Sequence, residues 1–339
     1  MHSRARVLEF LSLVLLATGV LALPLATAAA TPKAADGART ALPALNLSYD
    51  KDVFGSLEAQ SGAVTSGPQR FSRLAVRLYG GYNYIAAGDV NDGTDGYFEL
   101  MEAYAASGYG TTTGGYNPVH AGYNFGADFV YQITPVFGVG IGAGYMRSSK
   151  DSLMTLTSEM STITLTATPT LSAVPIRLGV FLNFPVAGKI DLTANAGATY
   201  YAGLTLDATQ RLEFTADDWT NMAVAAKRSS LSANLGFQGS LGVEYKLSPR
   251  MGFFVEAVGR YARLKNFDIV TGTTTSSGGS PSTSTGKLYI VTYTSTDLSY
   301  SAFTIEDTVP VDNPPAETYR EPKIDLSGFS LQAGIRIKL

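Results

Sequence analysis

The 339-residue sequence carries 25 basic and 28 acidic residues, a formal net charge of −3, and no cysteine. The slightly acidic balance provides no basic footprint for nucleic acid, and the absence of thiols excludes disulfides and a cysteine-linked lipid anchor. The 35 glycines, 19 tyrosines and 16 phenylalanines, with only 16% charged residues, indicate many short strands.

The N-terminus has the three parts of a secretory signal peptide. A basic start, MHSRAR, precedes the mostly apolar VLEFLSLVLLATGVLALPLA, and ATAAA offers small-residue cleavage sites after Ala28 or Ala30. The sequence therefore predicts a cleaved signal peptide over residues 1–30, with a membrane anchor as the alternative. Residues 31–70 have weak periodicity and are predicted to be a largely disordered segment.

Eight stretches of the remaining chain, residues 71–339, alternate apolar and polar residues with a period of two. They are 73–85, 119–133, 136–147, 173–184, 189–202, 230–247, 251–264 and 326–339. Short connections, Thr134-Pro135, PVAGK and SPR, alternate strictly with long ones. This is typical of an outer-membrane β-barrel with short periplasmic turns and long extracellular loops. The predicted fold is all-β, a single eight-stranded antiparallel transmembrane barrel with residues 31–70 in the periplasm.

Aromatic residues support this prediction independently, because four strands carry a pair of them eight residues apart. The pairs are Tyr123 and Tyr131, Phe137 and Tyr145, Phe237 and Tyr245, and Phe253 and Tyr261. Eight residues at ~3.3 Å each, tilted by ~40°, climb about 20 Å, close to the apolar band that aromatic girdles flank. A soluble β-sandwich, the alternative fold, has no reason to keep that spacing.

The first long connection contains GDVNDGTDGYFELMEAYAA, residues 88–106. Its polar residues among glycines make a weak candidate metal site, although their spacing misses the calcium-loop pattern by one residue and an exposed acidic turn is the simpler interpretation. These residues are Asp89, Asn91, Asp92 and Asp95. Apolar residues then recur at helical spacing from Tyr97 to Tyr104, which predicts a short helix capped by Asp95 and lying over the barrel mouth or on the membrane.

The stretch GVGIGAG, residues 138–144, fits a loose dinucleotide-binding pattern but lacks the strand-turn-helix context of such sites. Its alternate glycines instead indicate a bare inner face that makes room for long side chains.

The last long connection begins with a flexible, low-complexity stretch, TGTTTSSGGSPSTSTG. The alternating segment after it, KLYIVTYTSTDLSYSAFTIED, predicts either an extracellular hairpin or two further membrane strands that would make ten.

The inner face of the predicted barrel carries five arginines and four carboxylates. They are Arg73, Arg77, Asp128, Arg177, Asp191, Glu244, Glu256, Arg260 and Arg336. Because the interior of an eight-stranded barrel is only wide enough for side chains, these charges must pair there. The sequence therefore predicts a lumen plugged by a charge network.

Catalysis has few candidate residues. His120 is the only histidine beyond the signal peptide, and it lies near the end of the second strand. A hydrolase built on a histidine would have to use it. A polar residue at the membrane interface is the simpler interpretation.

The strand pattern and the terminal QAGIRIKL, residues 332–339, resemble the small outer-membrane β-barrels of Gram-negative bacteria, such as the OmpA transmembrane domain, OmpX and OmpW. The resemblance covers about residues 71–339. It implies that the last strand closes the barrel against the first, and that Ile335, Ile337 and Leu339 form a signal for the barrel insertion machinery. The family usually ends in Phe or Trp, whereas this sequence ends in Leu339.

Together these features predict a non-enzymatic protein of the bacterial outer membrane, without a cofactor, in a structural or surface-binding role. Its partners would be outer-membrane lipid, the insertion machinery and an extracellular ligand at the loops, and not nucleic acid. The alternatives are a narrow channel or OmpW-like conduit for small apolar molecules and, less favoured, an outer-membrane hydrolase.

Overall fold

The computed structural model describes residues 72–215, 218–227, 234–265, 267–295 and 298–339. The predicted signal peptide and the segment 31–70 lie outside the described residues. Within those residues the chain is antiparallel β structure with one α-helix, and no helix is both long and apolar enough to cross a bilayer.

The strands are numbered in chain order through the described residues. They are β1 (Leu74–Gly88), β2 (Thr111–Gly115), β3 (Ala121–Gln132), β4 (Phe137–Ser149), β5 (Ser152–Thr157), β6 (Thr162–Ala187), β7 (Ile190–Thr215), β8 (Asp218–Lys227), β9 (Leu235–Lys246), β10 (Met251–Tyr261), β11 (Arg263–Leu264), β12 (Ile269–Ser276), β13 (Ser282–Thr294), β14 (Ser299–Glu306), β15 (Glu317–Arg320) and β16 (Ile324–Lys338). The helix α1 (Asp89–Tyr104) follows β1 and runs into a π-helical turn, Ala105–Tyr109.

Eight of these strands pair in a closed antiparallel ring. Its order is β1-β3-β4-β6-β7-β9-β10-β16, with β16 returning to β1. Each predicted stretch overlaps one ring strand, so the ring has the predicted number of strands. Residues 230–233 of the sixth stretch lie outside the described residues. Since the strands are antiparallel, all long connections leave from one end, called the upper end here, and the short turns lie at the lower end.

The long connections are not simple loops, because they contain strands that continue the ring upward. β6 and β7 are each 26 residues long, about twice their predicted length, and their upper halves pair with β5 and β8. These halves belong to an upper sheet with the order β14-β13-β12-β8-β7-β6-β5-β2. β13 and β14 form the predicted hairpin within this upper sheet and outside the ring.

The polarity of the two faces reverses along β6. In its lower half, apolar side chains such as Leu178, which is 65% exposed, point outward, while Arg177 is buried inside the ring. In its upper half, Leu165 and Leu171 are buried on the inner face and threonines occupy the outer face. The lower ring is therefore apolar outside and polar inside, and the upper sheet has the polarity of a water-soluble protein.

A β-bulge in β7 keeps the apolar side chains of its upper half on the inner face, as in β6. The register against β6 shifts between Ser172 and Val174, where β7 contains one more residue, and Gly203 adopts φ 55°. A positive φ favours glycine, and the extra residue exchanges the faces of the strand. Tyr201 below the bulge and Leu204 above it are consequently both buried inside.

The inner faces of the upper sheet and the upper ends of the ring strands enclose an apolar core. Val90 of α1 belongs to it, together with Ile85, Leu206 and Leu326. Helix α1 begins at Asp89, so the prediction that Asp95 caps it is wrong. The start is set by tertiary contacts instead, because the Asp89 carboxylate accepts from Lys323 N at 2.6 Å and pairs with Arg320.

Candidate functional site

Buried ion pairs fill the inside of the lower ring, and we call them the lumenal charge network. Its members are Arg77, Asp128, Arg177, Asp191, Glu244, Lys246, Glu256 and Arg336. Arg77 and Asp128 are directly opposite on β1 and β3, with Nη1 3.6 Å from Oδ2. Asp128 Oδ1 accepts from Arg177 Nη2 at 2.6 Å, and Arg77 Nη2 lies 2.8 Å from Glu256 Oε2. Two arginines and two carboxylates thus balance one another.

The register also places like charges side by side, and partners from neighbouring strands compensate them. Arg336 lies opposite Arg77 across β1 and β16, an arrangement that is unfavourable alone. Arg336 Nη1 lies 3.0 Å from Glu244 Oε2, and Lys246 Nζ lies 2.5 Å from Oδ1 of Asp191, which is opposite Glu244. Each of these like-charged neighbours therefore has a partner of opposite charge.

Aromatic rings and glycines fix the arginines in place. The Arg77 guanidinium lies 4.1 Å from the centre of the Phe254 ring, and that of Arg177 lies 4.4 Å from the Tyr79 ring, both within cation–π range. The bare inner face of β4 makes room for the charged side chains, since a Cβ at Gly142 would lie 1.9 Å from Asp128 Oδ1.

The structure brings most of the predicted inward residues together in the lumenal charge network, but two arginines lie outside it. Arg73 is exposed at the lower end and donates to the Tyr131 hydroxyl at 3.4 Å. Arg260 is higher in the ring and, among the described residues, has no carboxylate within 4.0 Å. The sequence analysis missed Lys246, although the alternation that puts Glu244 inside also puts Lys246 there.

The cavities between the inner side chains are small. One, lined by Arg77, Asn183 and Glu244, measures about 20 Å³, and two others, beside Asp128 and beside Arg260, measure about 10 Å³ each. Each has room for about one water molecule. The network and the apolar core above it fill the ring.

The four candidate metal ligands lie in the first two turns of α1. Arg320 pairs with both Asp89 and Asp92, and Asn91 Oδ1 accepts from Tyr116 and from Val119 N. No group of three or more potential metal-binding His, Cys, Asp or Glu side chains occurs in the part of the chain that the structure describes.

The surroundings of Asp95 shift the pKa of its carboxyl group strongly. Partial burial, together with the charges of Glu99, Glu102 and Asp92, raises the pKa of Asp95 to about 6. At mildly acidic pH a larger fraction of Asp95 is therefore protonated than of an ordinary aspartate.

His120 lies near the upper end of the ring, and the terminal strand β16 is part of the ring. His120 Nδ1 lies 2.9 Å from the Ile85 carbonyl oxygen, and its ring stacks on Tyr84 at 5.0 Å. Ile335 and Ile337 face outward on β16, and Leu339 N donates to Leu74 O at 2.8 Å. β16 joins β1 to β10 and so completes the ring.

Comparison with known proteins gives matches to structures alone. No protein-family model matches the sequence, and neither does any curated protein. The outer membrane protein OprG from Pseudomonas aeruginosa matches at 10% identity over 79% of this chain and 97% of that chain, with a TM-score of 0.31. The siderophore receptor PirA from the same organism matches at 10% identity over 78% of this chain and 80% of that chain, with a TM-score of 0.09.

Proposed function

We propose that the chain is an integral outer-membrane β-barrel protein with a closed lumen, which holds a folded binding surface outside the cell. The observation that carries this proposal is the reversal of polarity between the lower ring and the upper sheet. In the lower ring Leu241 is 73% exposed, whereas Asp128 inside is 1% exposed. Only a lipid environment makes such an arrangement favourable, because water would favour the opposite one.

The height of the apolar band agrees with a membrane. On β9 the outward side chains run from Leu235 to Tyr245, which at ~3.3 Å per residue and a tilt of ~40° spans about 25 Å. Of the eight predicted girdle aromatics, Phe237 and Tyr261 are among those exposed on the outer face. Outer-membrane lipid and the insertion machinery are then the partners during assembly.

The upper sheet supports a surface-binding role. Long connections of outer-membrane barrels lie outside the cell, and here they form a packed structure with its own apolar core. Its connections carry exposed apolar residues, with Met160 at 65% between β5 and β6, and Val309 at 75% and Val311 at 85% between β14 and β15. These side chains are accessible for contact with an extracellular macromolecule.

The geometry favours this role over a conduit for small molecules. A conduit requires a continuous passage, whereas the lumen between the described side chains contains water-sized cavities separated by ion pairs. We therefore propose that the barrel serves as an anchor for the upper sheet.

Epitope insertion on intact cells tests membrane location and orientation together. A tag after Gly278, in the exposed turn between β12 and β13, should bind antibody without permeabilisation. The matched control is a tag after Gly188, in the short turn between β6 and β7, which should bind only after permeabilisation. Labelling at Gly188 alone would overturn the orientation, and recovery of the protein in a soluble fraction would overturn the membrane location.

A further inference from the structure

Inside the ring, Arg260 has no ion-pair partner among the residues that the structure describes. Its guanidinium is held by neutral oxygens: Nη1 donates to Ser330 Oγ at 2.8 Å, and Nη2 to Asn83 Oδ1 and, at 3.4 Å, to the Tyr84 carbonyl. Asn83 and Ser330 are themselves buried. These groups orient the guanidinium without neutralising it, and an uncompensated charge in such surroundings is costly.

A cavity of about 10 Å³ adjoins this arginine. Arg177, Asn124 and Gln332 also line it, so two guanidinium groups face one small space. In both arginines the Nε–H group is buried and without a hydrogen-bond acceptor. Arg177 has Asp128 as a partner, but Asp128 is shared with Arg77. Positive charge is therefore in excess beside this cavity.

We propose that the cavity holds a chloride-sized inorganic anion between Arg260 and Arg177. A halide ion accepts hydrogen bonds from any direction, so it serves both Nε–H groups and compensates the charge of Arg260 at once. A water molecule would serve the unpartnered amide oxygens of Asn124 and Gln332 but would leave that charge in place. The volume excludes larger anions such as phosphate or an organic carboxylate.

Thermal unfolding of the purified, folded barrel in detergent tests the site, with sodium chloride exchanged for sodium gluconate at constant ionic strength. The unfolding midpoint should rise by about 5 °C when chloride reaches roughly one hundred times its dissociation constant. Arg260→Gln should abolish the rise. The control Arg263→Gln should keep it, because Arg263 is exposed on the upper outer face and pairs with Asp325. The same chloride response in all three proteins would overturn the proposal.

A second measurement does not depend on the folding of the variant. Crystals of the wild-type protein grown in sodium bromide should show an anomalous scattering peak in contact with the Arg260 guanidinium. Absence of a peak at that position in an otherwise ordered lumen would overturn the proposal, whatever the behaviour of Arg260→Gln.

Discussion

Arg77 on β1 donates to Glu256 on β10 at 2.8 Å, although 179 positions separate them in the sequence and β16 lies between their strands. The side chains are 6% and 1% exposed. The contact exists because β16 has closed the ring, so it reports on the completed fold.

Breaking this pair should destabilise the barrel strongly. Glu256→Gln leaves Arg77 with less compensation, and loss of one partner of a buried ion pair typically costs about 3–5 kcal/mol. The free energy of urea unfolding in detergent micelles measures the effect. The matched control is Glu213→Gln, which breaks the partly exposed Arg211–Glu213 pair on the outer face and should cost less than about 1 kcal/mol. Equal losses in the two variants would contradict a buried network.

The wild-type barrel should show no steady conductance in a planar bilayer, because ion pairs bridge its lumen and its cavities are water-sized. Replacing Arg77 and Glu256 together by alanine should produce measurable openings without a change in net charge. The corresponding double alanine variant at Arg211 and Glu213, on the outer surface, should stay closed. Large stable openings of the wild-type protein would contradict the closed lumen.

Gly334→Val should prevent closure of the ring. A Cβ at Gly334 would lie 2.1 Å from the Leu78 carbonyl oxygen and 2.6 Å from the Phe254 ring, so β16 would have to move away from β1. Gly259→Val is the control, since its nearest neighbour is 4.0 Å away and its side chain faces outward. Heat-modifiable gel mobility distinguishes folded from unfolded barrels. A normal folded band for Gly334→Val would show that this close approach is not required.

Helix α1 should be more stable in mild acid than at neutral pH. The folded-state pKa of Asp95, about 6, lies above its unfolded value of 3.8, so the folded state binds the proton more tightly. Stability is therefore greatest below the unfolded pKa, falls as the pH rises from about 4 to about 6, and is constant above that range. Amide hydrogen exchange of α1, corrected for intrinsic rates, measures this change.

Asp95→Asn should reduce the pH dependence of α1 and protect the helix at pH 7, while the raised pKa values of Asp92 and Glu99 leave a smaller dependence of the same sign. Glu102→Gln removes one of the neighbouring charges, so the pKa of Asp95 moves closer to 3.8. The pH range over which the stability of α1 falls should therefore become narrower. A pH dependence unchanged in Asp95→Asn would assign the effect to another group.

The sequence alone determined the ring and its inner face. Period-two alternation, aromatic pairs such as Tyr123 and Tyr131, and alternating connection lengths are local properties, and they located all eight strands. Strand parity likewise selected Arg77 and Asp128 as inward residues, because successive side chains in a strand point to opposite faces.

Only the tertiary structure decided how those residues combine. Pairing across the lumen depends on register around the whole ring, which is why Lys246 pairs with Asp191 while Arg260 has no carboxylate partner in the described part of the chain. The sequence analysis left residues 162–172 within a long connection, although they also alternate with a period of two, and only their pairing with β5 and β7 shows that they belong to β6. Likewise, the start of α1 depends on Arg320, 231 residues away from Asp89. Alternation fixes which face a side chain is on, but long-range contacts fix its partner.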